Sequence, residues 1–241
     1  MNTEMYKKKF DQDGYFKIEN FLNKNEISKV IEEINESSDV DVFKDKNNLI
    51  RRVERFYNKG EYLSLINNKF MKLINDILKL KVLIFKDKLN LKPPGGEGFK
   101  AHYDGVFFFK DFENNKKEGW YEYGDNFINI LVAIDDCNEE NGTIELAKSD
   151  NEPFQKLIKK VKNFEFAELL DEVEQAHSFE KIVLNSGDLV VFKNTCPHRS
   201  SKNNSNTSRR ILYYTYLEEK FGNQYEKYFM DKKLSKNLIK S

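Results

Sequence analysis

The hydrophobic period of the chain changes near residue 81, and this change restricts the fold more than any other feature of the sequence. Before it, apolar residues recur every three to four positions, as in NKNEISKVIEEINES (23–37) and YLSLINNKFMKLINDILKL (62–80), which is typical of amphipathic helices. After it, short apolar or alternating segments are separated by turn residues, as expected of strands. Helices followed by several short strands predict a mainly β domain with flanking helices, an α+β arrangement built on an antiparallel sandwich or jelly roll.

The first strand of this second part has one strongly polar face. In KVLIFKDKLNLK (81–92), Lys86, Lys88, Asn90 and Lys92 alternate with other residues. Side chains two positions apart on a strand point the same way, so these four share a face. The lysines either line a solvated edge or, if they point inward, form a binding site for an anionic group of a substrate.

Further strand-like segments follow the PPGGEG turn. They are FKAHYDGVFFF (99–109), NFINILVAID (126–135), GTIELAK (142–148), KIVLN (181–185), GDLVVF (187–192) and RRILYYTYLEE (209–219). A charged insert, FQKLIKKVKNFEFAELLDEVEQAH (154–177), is expected to be partly helical. No repeat or long linker is present, so we expect one domain over residues 1–241, with a helical part over 1–80, a jelly-roll core over 81–217 and a helical tail over 218–241.

Composition argues against several classes of function. The 241 residues include forty basic and forty acidic side chains, so no net charge attracts nucleic acid or an anionic membrane surface. No apolar stretch has the length of a signal peptide or reaches the roughly eighteen residues of a membrane span. Cys137 and Cys196 lack the spacing of a disulfide framework and are expected to be buried free thiols. We therefore expect a soluble protein in a reducing, cytoplasmic setting.

One of the three histidines lies in a setting that indicates metal binding. His102 and Asp104 are two residues apart in GFKAHYDGVFFF (98–109), so on a strand both side chains point to the same face. A third ligand must come from another segment. His198 follows the predicted strand GDLVVF, where a strand end can aim a side chain inward, whereas His177 lies in the charged insert and is expected to be exposed. We therefore choose His198.

These three side chains match a known kind of iron site. Two imidazoles and one carboxylate on one face of an octahedral ion form the arrangement of non-haem Fe(II) oxygenases. Three adjacent coordination positions stay open, which a chelating 2-oxo acid and dioxygen can occupy. Arg209, eleven residues after His198 and at the start of an alternating strand, could bind the distal carboxylate of that acid through two hydrogen bonds.

As an ordered set, these features resemble the phytanoyl-CoA dioxygenase-like branch of the Fe(II)/2-oxoglutarate-dependent oxygenases. The residues that carry the resemblance are FKDKLNLKPPGGEGFKAHYD (85–104), VAIDDCNEENGTIEL (132–146), SGDLVVFKNTCPHRSSKNNS (186–205) and RRILYYTY (209–216). The similarity runs from about Lys86 to Tyr216 and more faintly over the N-terminal helices. It implies a double-stranded β-helix, which is a cupin-like jelly roll with helices packed outside it.

The resemblance also implies roles for individual residues. The Fe(II) ligands that it implies are His102, Asp104 and His198. Arg209 is implied as the partner of the distal carboxylate of 2-oxoglutarate, and Ser200 and Asn90 match positions that commonly help to hold this co-substrate. The implied reaction consumes dioxygen and 2-oxoglutarate, releases succinate and carbon dioxide, and hydroxylates an unactivated C–H bond.

The chain departs from the usual family pattern at two places near this site. Tyr103 stands where relatives usually have Gln or Thr between the first two ligands, and AKSD (147–150) replaces the common PGSH. Neither change removes a metal ligand, but both could reshape the substrate entrance. The halogenating relatives have a small residue in place of the acid, so the presence of Asp104 disfavours halogenation.

The expected substrate is a small polar metabolite rather than a long-chain acyl-CoA. If Lys86 and Lys88 point inward, they favour an acidic or phosphonate-bearing molecule, and some small-phosphonate hydroxylases of the family are similar in the GGEGF and HYD region. Trp120 and Tyr103 are further candidate substrate contacts. Trp120 is expected to belong to a lid, whereas Tyr103 alternates away from the metal ligands on an ideal strand.

Two functions of other classes stay open. One is a non-catalytic jelly-roll module that binds a metal or small ligand, and the presence of Arg209 beside the full ligand set argues against it. The other is a cupin-type metal-dependent hydrolase or isomerase, which would need a water-activating base and no arginine for an oxo acid. The formation of succinate separates all three.

Overall fold

The computed structural model describes residues 2–45, 48–163 and 167–235, except for the side chain of Asn163. The helices in these ranges are α1 Thr3–Asp13, α2 Lys24–Glu36, α3 Glu61–Leu78, α4 Phe154–Leu157, α5 Asp171–Ala176 and α6 Tyr225–Leu234. The strands are β1 Tyr15–Ile18, β2 Asp41–Lys44, β3 Ile50–Glu54, β4 Val82–Lys92, β5 Phe99–His102, β6 Phe109–Lys110, β7 Lys116–Lys117, β8 Ile128–Ala133, β9 Ile144–Leu146, β10 Val161–Asn163, β11 Glu168–Leu169, β12 Glu180–Lys181, β13 Leu189–Lys193, β14 His198–Ser200 and β15 Arg209–Glu218. Residues 164–166 of the predicted insert and 236–241 of the predicted tail lie outside the described residues.

Most strands belong to two antiparallel sheets. The major sheet has seven strands in the order β1-β13-β8-β15-β4-β3-β2, and the minor sheet has six in the order β10-β11-β5-β14-β9-β12. From β4 onward the chain passes back and forth, with β4, β8, β13 and β15 in the major sheet and β5, β9 and β14 in the minor one. This winding is that of a jelly roll, so the predicted fold class is confirmed.

The N-terminal part is less helical than predicted. The sequence predicts a helical part over 1–80, but three of its segments are strands of the major sheet. β1 pairs with β13 at one edge, while β3 pairs with β4 and β2 extends the sheet beyond β3. These segments have only four or five residues. Periodicity does not identify strands that short, and hydrogen bonding to an existing sheet edge determines their conformation.

The N-terminal helices pack against the outer face of the major sheet. Asn23, which precedes α2, forms a capping box with Glu26 in the first turn of the helix. α3 lies against β15, where the ring of Phe70 is 5.2 Å from that of Tyr214 and the Tyr216 hydroxyl donates to Asn67 Oδ1 at 2.9 Å. The helices therefore cover one face of the major sheet, and its other face is directed toward the minor sheet.

The charged insert (154–177) is partly helical, as predicted, and it also contributes two strands to the minor sheet. β10 pairs with β11, and β11 pairs with β5, which carries His102. In this register Glu168 lies opposite His102. Its hydrogen bonds to β5 place the insert at the border of the site.

Both cysteines are buried free thiols, as predicted. Burial raises the pKa of Cys137 to about 12, so this thiol is protonated at neutral pH. Within the described ranges, no helix has the length and apolar character that crossing a membrane requires.

Candidate active site

The minor sheet brings the three predicted metal ligands together. His102 ends β5, His198 begins β14, and the two residues are directly opposite each other in the antiparallel pair. Asp104 lies in the turn that follows β5. One ligand atom from each residue lies within 4.8 Å of the others, and His198 Nε2 is 3.7 Å from Asp104 Oδ2. In the described part of the chain, no other group of three metal-binding side chains is this close.

Backbone carbonyls orient both imidazoles. Nδ1 of His102 bonds to the carbonyl of Lys100 at 2.7 Å, and Nδ1 of His198 bonds to the carbonyl of Cys196 at 3.1 Å. A carbonyl only accepts, so Nδ1 carries the hydrogen in each ring and Nε2 is free to bind a metal. Burial and the neighbouring His198 lower the pKa of His102 to about 3, which keeps its imidazole neutral.

Two asparagines fix the Asp104 carboxylate and its turn. Asn129 Nδ2 donates to Asp104 Oδ2 at 2.9 Å, and its Oδ1 accepts from the Thr215 hydroxyl at 2.7 Å. Asn194 Nδ2 donates to the backbone carbonyl of Asp104 at 3.2 Å. Sequence reasoning missed both asparagines. The available signal was Asn129, because it interrupts the otherwise apolar run FINILVAI (127–134).

The donor set fits Fe(II). Burial raises the pKa of Asp104, but the neighbouring His198 and Lys88 outweigh burial and hold that pKa below its usual value, so the carboxylate is ionised. Imidazole nitrogens with one carboxylate oxygen are the facial set of non-haem Fe(II) oxygenases. The structure therefore brings the predicted ligands into one place in a suitable protonation state, and their role in binding iron stays a prediction.

A cavity of about 560 Å³ lies between the two sheets beside these ligands. Eight basic side chains line it: Arg51, Arg52, Lys86, Lys88, Lys92, Lys100, Arg199 and Arg209. Only two acidic side chains, Asp104 and Glu168, are among its described lining residues. Asn90 and Ser200 also border it. The polar face of β4 therefore points inward, which favours the anion-site interpretation of its lysines over a solvated edge.

Lys86 and Lys88 enter the cavity without an acidic partner at hydrogen-bonding distance. Lys86 is 2% exposed, and its ammonium lies 5.3 Å from the ring centre of Trp120 and 5.5 Å from that of Tyr228. The Lys88 ammonium lies 4.7 Å from the ring centre of Tyr213. Within the described ranges, neither forms a hydrogen bond or salt bridge. Burial and the charge of Lys86 lower the pKa of Lys88 to about 8.

A second basic group lies where β15 meets β4. Arg209, the first residue of β15, is directly opposite Lys92, the last residue of β4. Arg209 Nη2 donates to the carbonyl of Gly142 at 2.9 Å. Lys92 Nζ donates to the same carbonyl at 3.2 Å and to Ser200 Oγ at 2.8 Å. The predicted co-substrate residues Arg209 and Ser200 therefore share one corner of the cavity with Lys92.

Trp120 is a core residue, and the expectation that it belongs to a lid is wrong. Its side chain is 3% exposed, and its ring centre is 5.4 Å from that of Phe85 and 5.3 Å from that of Phe127. The ring also packs on the turn that carries Asp104. Gly105 has a φ of +78°, and a Cβ at this position would lie 2.6 Å from Trp120. The indole is therefore a fixed wall of the cavity.

Tyr103 and His177 meet at Asp150, outside the ligand set. The Tyr103 ring borders the cavity, but its hydroxyl points away and donates to Asp150. His177 Nε2 lies 3.0 Å from the same carboxylate, and Lys160 donates to it at 3.0 Å. The expectation that His177 is exposed is wrong: its side chain is 15% exposed, because this contact holds the insert against the core. The two departures from the usual pattern, Tyr103 and the AKSD segment, are thus bonded partners.

The sequence matches a known protein family and is similar to two named proteins. The chain matches the phytanoyl-CoA dioxygenase (PhyH) family over residues 10–211. It is 30% identical over 195 residues to the 2-aminoethylphosphonate dioxygenase of uncultured bacterium HF130_AEPn_1, a match that covers 77% of this chain and 65% of that protein, just under two thirds of its length. It is 26% identical over 254 aligned positions to the methylphosphonate hydroxylase of Gimesia maris, covering 98% of this chain and 89% of that one.

Solved structures share the fold at lower identity. EctD from S. alaskensis with bound Fe superimposes with a TM-score of 0.70 at 15% identity, over 91% of this chain and 79% of that one. The same protein with 2-oxoglutarate and 5-hydroxyectoine gives a TM-score of 0.69. This similarity supports the jelly-roll architecture.

Proposed function

The chain belongs to the phytanoyl-CoA dioxygenase family of Fe(II)- and 2-oxoglutarate-dependent oxygenases, and we propose that it hydroxylates a C–H bond of a small phosphonate. The resemblance predicted from the sequence is thereby confirmed. In the proposed reaction, one atom of dioxygen enters the carboxylate of succinate, the other enters the new hydroxyl, and carbon dioxide leaves. The observation that carries the proposal is the presence of two lysines, the buried Lys86 and the partly buried Lys88, in the same cavity as the ligand set.

His102, Asp104 and His198 would hold the iron. Bound Fe(II) supplies dioxygen activation and a chelation site for the 2-oxo acid. The chain's own part is to fix the ligands: backbone carbonyls hold both imidazoles, and Asn129 holds the carboxylate. Such partners raise metal affinity because they remove the freedom of the ligand side chains before the metal binds.

Arg209 would receive the distal carboxylate of 2-oxoglutarate. Its side chain is 4% exposed and donates to one neutral carbonyl, without a salt bridge to any described residue. A buried guanidinium without an anion is unfavourable, so a carboxylate that binds there gains a charge-assisted contact. Asn90 and Ser200 border the same cavity and are proposed as further co-substrate contacts.

The lysines of β4 favour a phosphonate as the substrate. Burial lowers the pKa of Lys86 and of Lys88 despite the nearby carboxylates of Glu54 and Asp104, so their charged forms cost free energy, and an oxyanion of the substrate offsets that cost. A phosphonate has three oxygens and up to two negative charges, so it can accept hydrogen bonds from both ammonium groups at once. Similar proteins are named for 2-aminoethylphosphonate and methylphosphonate. A cavity of about 560 Å³ also suits a small molecule better than a long-chain acyl-CoA.

The setting that we propose is the reducing cytoplasm. Cys137 and Cys196 are free thiols, which persist where glutathione and thioredoxin keep cysteines reduced. The partner that we propose is a small-molecule substrate, because the basic lining is inside a cavity and not on a broad surface.

Anaerobic reconstitution followed by a substrate screen tests this function. Fe(II) with 2-oxoglutarate should give the weak visible charge-transfer band of such a chelate. On admission of oxygen, methylphosphonate or 2-aminoethylphosphonate should stimulate succinate release more than carboxylic acids of similar size. A band without any substrate-stimulated succinate would favour the non-oxidising binding module. Substrate conversion that needs the metal but not 2-oxoglutarate would favour the hydrolase or isomerase.

A further inference from the structure

Lys92 is a buried cation that the proposed function leaves without a role. It lies directly opposite Arg209, and the two side chains are 3% and 4% exposed. Like charges at opposed positions of a sheet repel each other. Neither forms a salt bridge with an acidic side chain in residues 2–45, 48–163 or 167–235. The fold therefore holds two positive charges together beside the cavity without an anion of its own.

Neutral oxygens take up all three hydrogens of the Lys92 ammonium. Nζ donates to the carbonyls of Gly142 at 3.2 Å and Ser201 at 2.6 Å, and to Ser200 Oγ at 2.8 Å. An ammonium has three donors, so Lys92 has none left for a ligand in this arrangement. Any effect of Lys92 on the co-substrate must therefore pass through its charge or through Ser200.

Ser200 is placed to donate and not to accept. Its Oγ accepts from Lys92 Nζ at 2.8 Å and from the backbone N–H of Phe99 at 3.3 Å. These two bonds occupy both acceptor positions of the hydroxyl, and the O–H hydrogen has no acceptor among the described residues. Because Ser200 borders the cavity, a ligand with a negative oxygen is the acceptor that this arrangement suits.

We propose that Lys92 is a positioning residue for 2-oxoglutarate: its ammonium fixes the Ser200 hydroxyl as a donor to the distal carboxylate and adds a second positive charge beside Arg209. This inference rests on the proposed function, since it assumes that the corner receives 2-oxoglutarate. It assigns the lysine at the end of β4 to the co-substrate, whereas Lys86 and Lys88 of the same strand serve the substrate.

Ligand pairs and matched variants test the role of Lys92. Titration of the anaerobic Fe(II) protein, followed by the charge-transfer band, gives the affinity for 2-oxoglutarate and for 2-oxobutyrate, which chelates the same way but lacks the distal carboxylate. We expect Lys92→Met to weaken 2-oxoglutarate binding by about tenfold or more and to leave 2-oxobutyrate binding unchanged. Lys92→Arg should restore part of the loss. Lys72→Met, which removes a lysine of α3 that is 75% exposed and lies outside the cavity lining, should change neither affinity.

Coupling to Ser200 provides a second readout. If Lys92 acts through the Ser200 hydroxyl, Ser200→Ala should weaken 2-oxoglutarate binding, and Lys92→Met should cost less affinity in that background than in the wild type. Equal losses for 2-oxoglutarate and 2-oxobutyrate in Lys92→Met would overturn the inference, because a purely structural role affects both acids. A wild type that gives no band with 2-oxoglutarate would instead overturn the proposed function itself.

A pH profile of the wild type decides the matter if Lys92→Met does not fold. Burial and the charges of Arg209 and Arg51 lower the pKa of Lys92 to about 7. The groups facing it from β15 and β3 are these two arginines, which stay charged, and Cys137 is a protonated thiol. Affinity for 2-oxoglutarate should fall as the pH rises above 7, with a smaller fall for 2-oxobutyrate. Identical profiles for the two acids would contradict the inference.

Discussion

Strand β4 supplies lysines to both ends of the cavity, and the two ends hold them differently. At one end, three oxygen atoms accept hydrogen bonds from the Lys92 ammonium. At the other, Lys86 and Lys88 lie over aromatic rings and form no hydrogen bond with a described residue. Hydrogen bonds fix a cation at one point, whereas a cation above a ring can shift without losing a directional contact. We infer a rigid co-substrate end and an adaptable substrate end.

Loss of a predicted metal ligand should give the largest effect, because the metal site serves both the co-substrate end and the substrate end of the cavity. In Asp104→Ala the carboxylate ligand is lost, so neither the charge-transfer band nor succinate should appear, whichever phosphonate is present. The measurement is the band under anaerobic Fe(II) and 2-oxoglutarate, with succinate assayed afterwards. His177→Ala is the control, because it removes a histidine that bonds to Asp150 outside the ligand set, and it should keep the band. If Asp104→Ala bound Fe(II) and 2-oxoglutarate with the affinity of the wild type, Asp104 would not be an iron ligand.

Neutralising the substrate end should separate the two ends most clearly. Hydrogen bonds to charged groups are worth about 1.5–3 kcal/mol each, so losing two of them in the Lys86→Met, Lys88→Met double variant should raise KM for the phosphonate by about a hundredfold or more. The affinity for 2-oxoglutarate, measured by the band, should stay close to that of the wild type. If both affinities fall together, the two ends are not independent.

Stability should change in opposite directions at the two ends. Lys86 is buried and has no salt-bridge partner among the described residues, so replacing it with methionine removes the desolvation cost of its charge and should stabilise the fold by about 1–3 kcal/mol. Lys92→Met leaves the carbonyls of Gly142 and Ser201 with fewer donors and should destabilise it by about 1–3 kcal/mol. Denaturant unfolding of the two single variants measures both changes. A loss of stability in Lys86→Met would show that the aromatic contacts outweigh the cost of burying its charge.

The smallest effect we expect is a difference in pH dependence. Burial lowers the pKa of Lys88 to about 8 and that of Lys92 to about 7. A lysine is charged below its pKa, so affinity for an anion is highest there and falls as the pH rises through it. Phosphonate KM should therefore begin to rise near pH 8, and 2-oxoglutarate affinity should weaken from about pH 7. Kinetics and band titrations between pH 6 and pH 9 compare the two ends. If phosphonate KM and 2-oxoglutarate affinity changed with the same midpoint pH, Lys88 and Lys92 would not control them separately.

The sequence allowed the metal and cation positions to be predicted because they depend on local rules. The two-residue spacing of His102 and Asp104 and the alternation along β4 set the direction of each side chain without knowledge of the rest of the fold. His198 and Arg209 follow from their places at strand ends. The structure brings all four to one cavity.

The supporting residues could not be predicted, because their roles depend on contacts between distant segments. Asn129 and Asn194 act on Asp104 from β8 and from the turn after β13. Trp120 is in the core because Gly105 leaves room for its ring. The insert borders the site through pairing with β5, which its mixed composition does not indicate.

We propose that an iron and 2-oxoglutarate centre in this cavity oxidises a phosphonate held by Lys86 and Lys88. Phosphorus NMR of methylphosphonate and 2-aminoethylphosphonate, incubated with the protein, Fe(II), 2-oxoglutarate and air, tests it most directly when succinate is measured in the same tube. We expect a new phosphorus resonance that grows in equal amount with succinate and is absent in Asp104→Ala. Unchanged phosphonate signals in a protein that shows the charge-transfer band would contradict the claim.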